Sequence, residues 1–255
     1  MRVLVTRPAG KGEKLLERLK SLVDAVYHQP MINILPGPDG FEVTEADVVI
    51  FVSTSAVKFA TLPMNKSLHW QNIQWLAVGK ATAEALQQKG IGPVLYPELE
   101  TSEGLLALNG LQQAAIAGKK VQIVRGVGGR ELLAETLKAR GAEVGYSQVY
   151  QRQRTLTPGD AENEQFYQRW QSQHIDCIVV TSVEIFNTIV EGLPSCARPW
   201  LCSRLWVVVS ERMGQHVRQW GIPARQIVNA EGAGDNIIAA KIQYLIENDY
   251  GATRQ

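Results

Sequence analysis

The sequence is short of the residues that mark several large classes of protein. Its three cysteines (Cys177, Cys196, Cys202) are odd in number and lack metal-ligand spacing, so they read as reduced thiols in a cytoplasmic protein rather than a disulfide framework or a zinc site. Four histidines (His28, His69, His174, His216) are scattered, with no H-E-x-x-H pairing. Neither sign of charge dominates: 26 Lys+Arg stand against 25 Asp+Glu, a net charge of +1, which argues against a dedicated nucleic-acid binder. No apolar run approaches the roughly 18 residues of a membrane span. The segment Met1–Arg7 reaches a second arginine after three apolar residues and does not read as a secretory signal. Phosphate loops are missing too. Gly126-Val-Gly-Gly-Arg130 would need glycine at 131 for a dinucleotide fingerprint, and Glu131 stands there. No P-loop and no G-x-S-x-G elbow occur.

What is present is ordinary globular composition, 45% hydrophobic and 20% charged over 255 residues, enough for one large or two small domains. Short Val- and Ile-rich runs alternate with amphipathic stretches, the pattern of a parallel α/β sheet. The runs predict strands at Val3–Thr6, Ala25–His28, Val48–Ser53, Trp75–Val78, Val94–Tyr96, Val121–Arg125, Glu143–Ser147, Cys177–Thr181, Leu205–Val209 and Gln226–Asn229. Asp235 is the expected N-cap of a C-terminal helix.

Internal repetition says more. Arg2–Arg7 followed by Glu13–Lys20 resembles Lys120–Arg125 followed by Glu131–Lys138, both at an offset of 118. Asp47–Ser53 resembles Asp176–Ser182 at 129, Gly90-Ile91 resembles Gly221-Ile222 at 131, and Thr101–Leu105 sits where Ala233–Ile237 sits at 132. The order is short unit, long unit, short unit, long unit, with two strands and then three in each pair. Duplication into two five-stranded α/β domains follows, either in tandem or with exchanged first units. Gln29–Gly40 and Tyr150–Gly159 leave the periodic pattern at corresponding points and are the expected linkers.

Ligands of doubly wound sheets bind outside the carboxyl ends of the strands, where helix N-termini present free N–H groups. The residues expected there are small and polar: Thr6-Arg7, Ser53-Thr54-Ser55, Gly79-Lys80-Ala81-Thr82, Arg125-Gly126, Gly128-Gly129-Arg130, Thr181-Ser182 and Ser210-Glu211-Arg212. Singly each is a helix cap; together they point to an anion site lined by backbone N–H groups. Arg7 and Arg125 occupy equivalent repeat positions, and their symmetry suggests one anionic ligand between them.

Phe51-Val-Ser-Thr-Ser-Ala-Val57, then Val78-Gly-Lys-Ala-Thr-Ala83, then Val149-Tyr150-Gln151 resemble three signatures of the uroporphyrinogen-III synthase family, in order. Thr6-Arg7-Pro8 and the pieces at Gly90 and Gly221 fit as well. The resemblance implies two similar flavodoxin-like α/β domains, each a five-stranded parallel sheet flanked by helices. It also implies exchanged N-terminal units: residues 1–34 with 152–255, and residues 35–151, joined by two segments with the site in the cleft. The implied activity is a cofactor-free, metal-free hydro-lyase reaction: hydroxymethylbilane, a linear tetrapyrrole with eight carboxylates, loses water and closes with its last ring inverted. This belongs to haem, sirohaem and cobalamin biosynthesis. Carried over by residue, Tyr150 is the candidate proton donor and Thr82 a supporting group. Met213 stands where many relatives have threonine. Ser53, Thr54, Ser55, Lys80, Gly126, Gly129, Arg130, Ser182, Ser210 and Arg212, with the two arginines, are the expected substrate contacts. A cytoplasmic monomer is expected, without nucleic acid or membrane, meeting the preceding pathway enzyme transiently. The alternative is a cytoplasmic two-domain binding protein or sensor that closes on a small anionic ligand.

Overall fold

Val3, Leu4 and Val5 are apolar on both sides of the backbone, and such a strand is stable only where both of its faces are covered. In the computed structural model, which describes residues 1–41, 45–61, 70, 72–129 and 131–248, all three are fully buried. The chain runs β1 (Arg2–Val5), α1 (Glu13–Leu19), β2 (Ala25–His28), β3 (Ile32–Pro36), β4 (Val48–Phe51), α2 (Thr54–Phe59), β5 (Gln74–Ala77), α3 (Lys80–Gln88), β6 (Val94–Leu95), α4 (Ser102–Leu106), α5 (Gln113–Ile116), β7 (Lys120–Gly126), α6 (Leu132–Ala139) and β8 (Glu143–Arg154). It continues with α7 (Asn163–Ser172), β9 (Cys177–Val179), α8 (Val183–Gly192), α9 (Arg198–Ser203), β10 (Leu205–Val208), α10 (Glu211–Trp220), β11 (Ile227–Asn229) and α11 (Asp235–Glu247).

Two sheets result, ordered β11-β10-β9-β1-β2 and β3-β8-β7-β4-β5-β6. All pairings in the first are parallel, as are β8-β7-β4-β5-β6 in the second. By contact the chain divides into Met1–Asn33 with Gln153–Gln255, and Ile34–Arg152. In each unit the two strands of a short repeat lie beside the three of a long one; counted along the chain the parallel strands run 2-1-3-4-5 in the first unit and 5-4-1-2-3 in the second, where the long repeat comes first.

Alternation along β4 separates the core of the second unit into two layers. Val49 and Phe51 face Ala56 and Val57 of α2 and Ala83 and Leu86 of α3. Val48 and Ile50 face Leu105 of α4, Ile116 of α5 and Leu133 and Leu137 of α6. In the first unit Val3 and Val5 of β1 pack with Leu15 and Leu19 of α1 and Ile238 and Ile242 of α11.

Three expectations need correction. β8, expected to end at Ser147, runs on to Arg154 and so takes in the first residues of the segment read as the second linker. The second sheet has six strands rather than five, because β3 forms inside the segment read as a linker. Gly37 N–H donates to Val149 O at 2.8 Å and Thr155 N–H to Met31 O at 3.1 Å, which makes β3 antiparallel to the outer half of β8. Pro30 and Pro36 argued against a strand there, yet an edge strand tolerates proline because one side of its ladder is unused. The N-cap of α11 is Gly234; the Asp235 carboxylate is paired instead with Arg7.

Candidate active site

β4 and β7 are adjacent and mark the point where strand order reverses in the second unit, the place where doubly wound sheets bind ligands. After β4 the backbone of Ser53 is extended, and its Oγ accepts from Ala56 N–H at 3.2 Å, capping α2. The same Oγ donates to Tyr150 Oη at 3.2 Å. Thr54 opens α2, and Ser55 is buried within it. Tyr150 is 6% exposed and lies 6.3 Å from the Phe59 ring, centroid to centroid.

A β-bulge aims this tyrosine. β8 pairs Arg125 with Gln148 but Gly126 with Tyr150, a slip of one residue. Under strict alternation Tyr146 and Tyr150 would share a face. With the slip, Tyr146 packs in the layer of α4–α6 and Tyr150 in the layer of α2 and α3. Gly126 permits the close approach, since a Cβ there would lie 2.5 Å from Tyr150 Cε2. Tyr150, Ser53 and Gly126 are therefore brought together.

Arg125 is turned inward, 5% exposed. Its Nη1 donates to Glu131 Oε1 at 3.1 Å and its Nε to Gly126 O at 3.2 Å. Its guanidinium lies 4.8 Å from the Tyr146 ring centroid. A Cβ at Gly129 would be 2.6 Å from its Nη2. Tyr146 Oη donates to the other Glu131 oxygen. That hydrogen bond, with the Arg125 charge beside it, holds the Glu131 carboxyl below the usual range; burial and then Glu131 push the Tyr146 phenol up. Glu131 and Tyr146 were not foreseen. Their pairing is visible only in three dimensions: in the sequence Glu131 opens a repeated segment and breaks a glycine motif, and neither feature points to Tyr146.

Thr82 is buried in the first turn of α3, with no hydrogen bond from its hydroxyl among the described residues. Lys80 is exposed and 3.9 Å from Glu84. Gly79 caps α3 with its backbone alone, and a Cβ there would lie 2.3 Å from Glu100 Oε2, so a carboxylate of the chain already stands at this helix start. Arg130, like His69, lies outside the described residues.

In the first unit Arg7 is 8% exposed and its donors are occupied: it pairs with Asp235, donates to Ala233 O, and reaches Lys11 O at 3.4 Å. The symmetric arginines are thus each committed to a carboxylate of their own unit. Ser182 and Ser210 cap α8 and α10, accepting from Ile185 N–H at 3.2 Å and Met213 N–H at 3.3 Å. Met213 is buried, and Arg212 is exposed. Among the described residues no three His, Cys, Asp or Glu come together as metal ligands.

The signature of the family described as uroporphyrinogen-III synthase HemD matches residues 13–232. The chain belongs to the uroporphyrinogen-III synthase family. It is 38% identical over 236 residues to the uroporphyrinogen-III synthase of Escherichia coli (strain K12), covering 87% of this chain and 92% of that one. It is 37% identical over 232 residues to the Salmonella typhimurium (strain LT2) enzyme, with the same coverage of each. The crystal structure of uroporphyrinogen-III synthetase from Helicobacter pylori 26695 superposes with a TM-score of 0.63 at 14% identity, covering 96% of this chain and all of that one; it supports the shared fold. The segments carrying Ser53, Thr82 and Tyr150 all fall inside the stretch matched by this family. No helix among the described residues is long and apolar enough to cross a membrane.

Proposed function

We propose that this uroporphyrinogen-III synthase acts as a hydro-lyase on hydroxymethylbilane, with Tyr150 as the proton donor of the dehydration. The observation that carries the reading is the Ser53–Tyr150 hydroxyl pair, held at the carboxyl ends of the strands of the second unit by the bulge in β8 and by Gly126. Tyr150 gives its proton to the terminal hydroxyl of the bilane. The C–O bond breaks with its electron pair on oxygen, water leaves, and an azafulvenium cation and a tyrosinate remain. The substituted α-carbon of the last ring attacks the cation, giving the spiro intermediate. Cleavage and re-closure at the other side of that ring invert it. Loss of one proton then restores the pyrrole, and the tyrosinate is the base that takes the proton back. Atoms balance as one bilane to one macrocycle and one water.

Eight substrate carboxylates meet a chain of net charge +1, so neutral donors carry much of the recognition. The backbone N–H groups that open α8 and α10, near Ser182 and Ser210, present such donors, and Lys80 adds a charge beside α3, whose own start already faces Glu100. Thr54, Ser55, Gly126, Gly129, Arg130 and Arg212 complete the proposed contacts, and Thr82 supports one carboxylate; the Ser53 hydroxyl, paired with Tyr150, is not among them. Arg7 and Arg125, being paired, hold loops in place rather than binding substrate alone. The reading takes the protein as a cytoplasmic monomer fed by the enzyme that makes the bilane.

Incubation with hydroxymethylbilane, oxidation and separation of the I and III isomers tests the function. Isomer III should dominate, and Tyr150→Phe should lower turnover by roughly 10²-fold, with a smaller loss for Thr82→Ala. Isomer I alone, at the rate seen without protein, would overturn the function. Full turnover by Tyr150→Phe would overturn the role of the tyrosine.

A further inference from the structure

We propose that Ser53 is a positioning residue that directs and strengthens proton donation by Tyr150, an inference that rests on the reading of Tyr150 as donor. A serine hydroxyl has one hydrogen and two acceptor sites. Ser53 Oγ spends acceptor capacity on Ala56 N–H, and its hydrogen goes to Tyr150 Oη. With Ser53 as the donor of this pair, which is the arrangement proposed, the phenol oxygen accepts and its own hydrogen points elsewhere. The described residues give that hydrogen no acceptor. It is left for a group arriving from outside the sheet.

The bond also changes strength during the reaction. Before transfer Ser53 donates to a neutral phenol; after transfer it donates to a phenolate, and hydrogen bonds to an ionised acceptor are roughly twice as strong. Interactions that strengthen on the way to the transition state are the ones that raise turnover rather than affinity. Gly126 lies against one side of the ring and Phe59 packs nearby, which restricts its movement away from Ser53. The repeat supplies a comparison. Ser182 holds the equivalent position after β9 and caps α8 with the same 3.2 Å bond, yet it has no hydrogen bond to a tyrosine among the described residues. Capping alone therefore does not account for what Ser53 does.

The test is a double-mutant cycle on kcat and KM with hydroxymethylbilane, using Ser53→Ala, Tyr150→Phe and both together. Ser53→Ala should lower kcat by about tenfold with little change in KM, as expected for one charge-assisted hydrogen bond. Ser53→Thr, which keeps the hydroxyl, should restore most of it. In the Tyr150→Phe background Ser53→Ala should cost nothing further. If Tyr150→Phe is impaired but Ser53→Ala costs the same factor in both backgrounds, Ser53 is only a cap and the inference fails. If Tyr150→Phe is fully active, the donor reading itself fails. Should the alanine variant not fold, Ser53→Gly replaces it, because glycine starts a helix nearly as well as serine and carries no hydroxyl.

Discussion

Replacing Gly126 with alanine is a one-atom probe of the tyrosine's placement. The added Cβ would stand 2.5 Å from Tyr150 Cε2, 2.6 Å from Cζ and 3.0 Å from Cδ2, where ordinary contact begins at 3.4 Å. The ring must therefore retreat by about 1 Å or the β7 backbone must yield. Gly126 is not among the glycines with positive φ, so the cost is steric and not conformational. A retreat of that size takes Tyr150 Oη beyond hydrogen-bond reach of Ser53 Oγ, now 3.2 Å away. A misplacement of about 1 Å in a reacting group costs about 10²-fold in rate, and overpacking of this kind costs about 1–3 kcal/mol of stability. Gly126→Ala should thus lower kcat close to the level of Tyr150→Phe. It should also lower the denaturant midpoint, with isomer III falling relative to the spontaneous isomer I. Turnover, isomer ratio and urea denaturation measure all three. Unchanged kcat alongside a lowered denaturant midpoint would refute the argument, since the clash would then be absorbed without moving the hydroxyl.

Three further outcomes are expected. Arg7→Ala leaves the Asp235 carboxylate and Ala233 carbonyl without their donor and should destabilise the fold by about 1–3 kcal/mol, seen in urea denaturation; an unchanged midpoint with a raised KM would instead make Arg7 a substrate contact. The Glu131 carboxyl is lowered from its ordinary 4.5, so its contribution is present above that value and disappears as pH falls through the depressed folded-state one; denaturation curves of wild type and Glu131→Gln should differ at pH 7 and converge in strong acid, and a constant gap would refute this. Turnover should survive exhaustive chelation, because the described residues assemble no ligand cluster; loss of activity restored by one specific metal would overturn that.

The strands were legible because apolar runs such as Val48–Phe51 can be stable only between two layers; nine of the ten predicted runs coincide with strands to within two residues, and the tenth, Glu143–Ser147, is only the first part of β8. The serine caps were legible for the same local reason: Ser53, Ser182 and Ser210 each follow a strand and open a helix. What escaped is whatever depends on register. β3 was hidden by its prolines, whose cost vanishes at a sheet edge. The aim of Tyr150 was hidden because the slip between Gln148 and Tyr150 leaves no mark in composition, although it decides which layer the ring enters. The commitment of Arg7 to Asp235 joins residues 228 apart in the chain, beyond any periodicity. Repeat symmetry set both arginines apart but could not show that each has a carboxylate partner in its own unit.

The nesting of one unit within the other in the sequence bears on how the chain is made. Val3 is hydrogen-bonded in register with Cys177, and everything from Ile34 to Arg152 belongs to the other unit. On a ribosome, β1, α1 and β2 emerge first but find no third strand until about 150 more residues have been added, roughly 8–30 s at about 5–20 residues per second. The inner unit is contiguous and can condense within that interval. During it the apolar Val3–Val5 edge and Leu15 and Leu19 stand uncovered, the kind of surface that chaperones bind. Vectorial synthesis therefore favours completing the unit that holds Tyr150 first, while the segment that begins the chain is among the last to find its place.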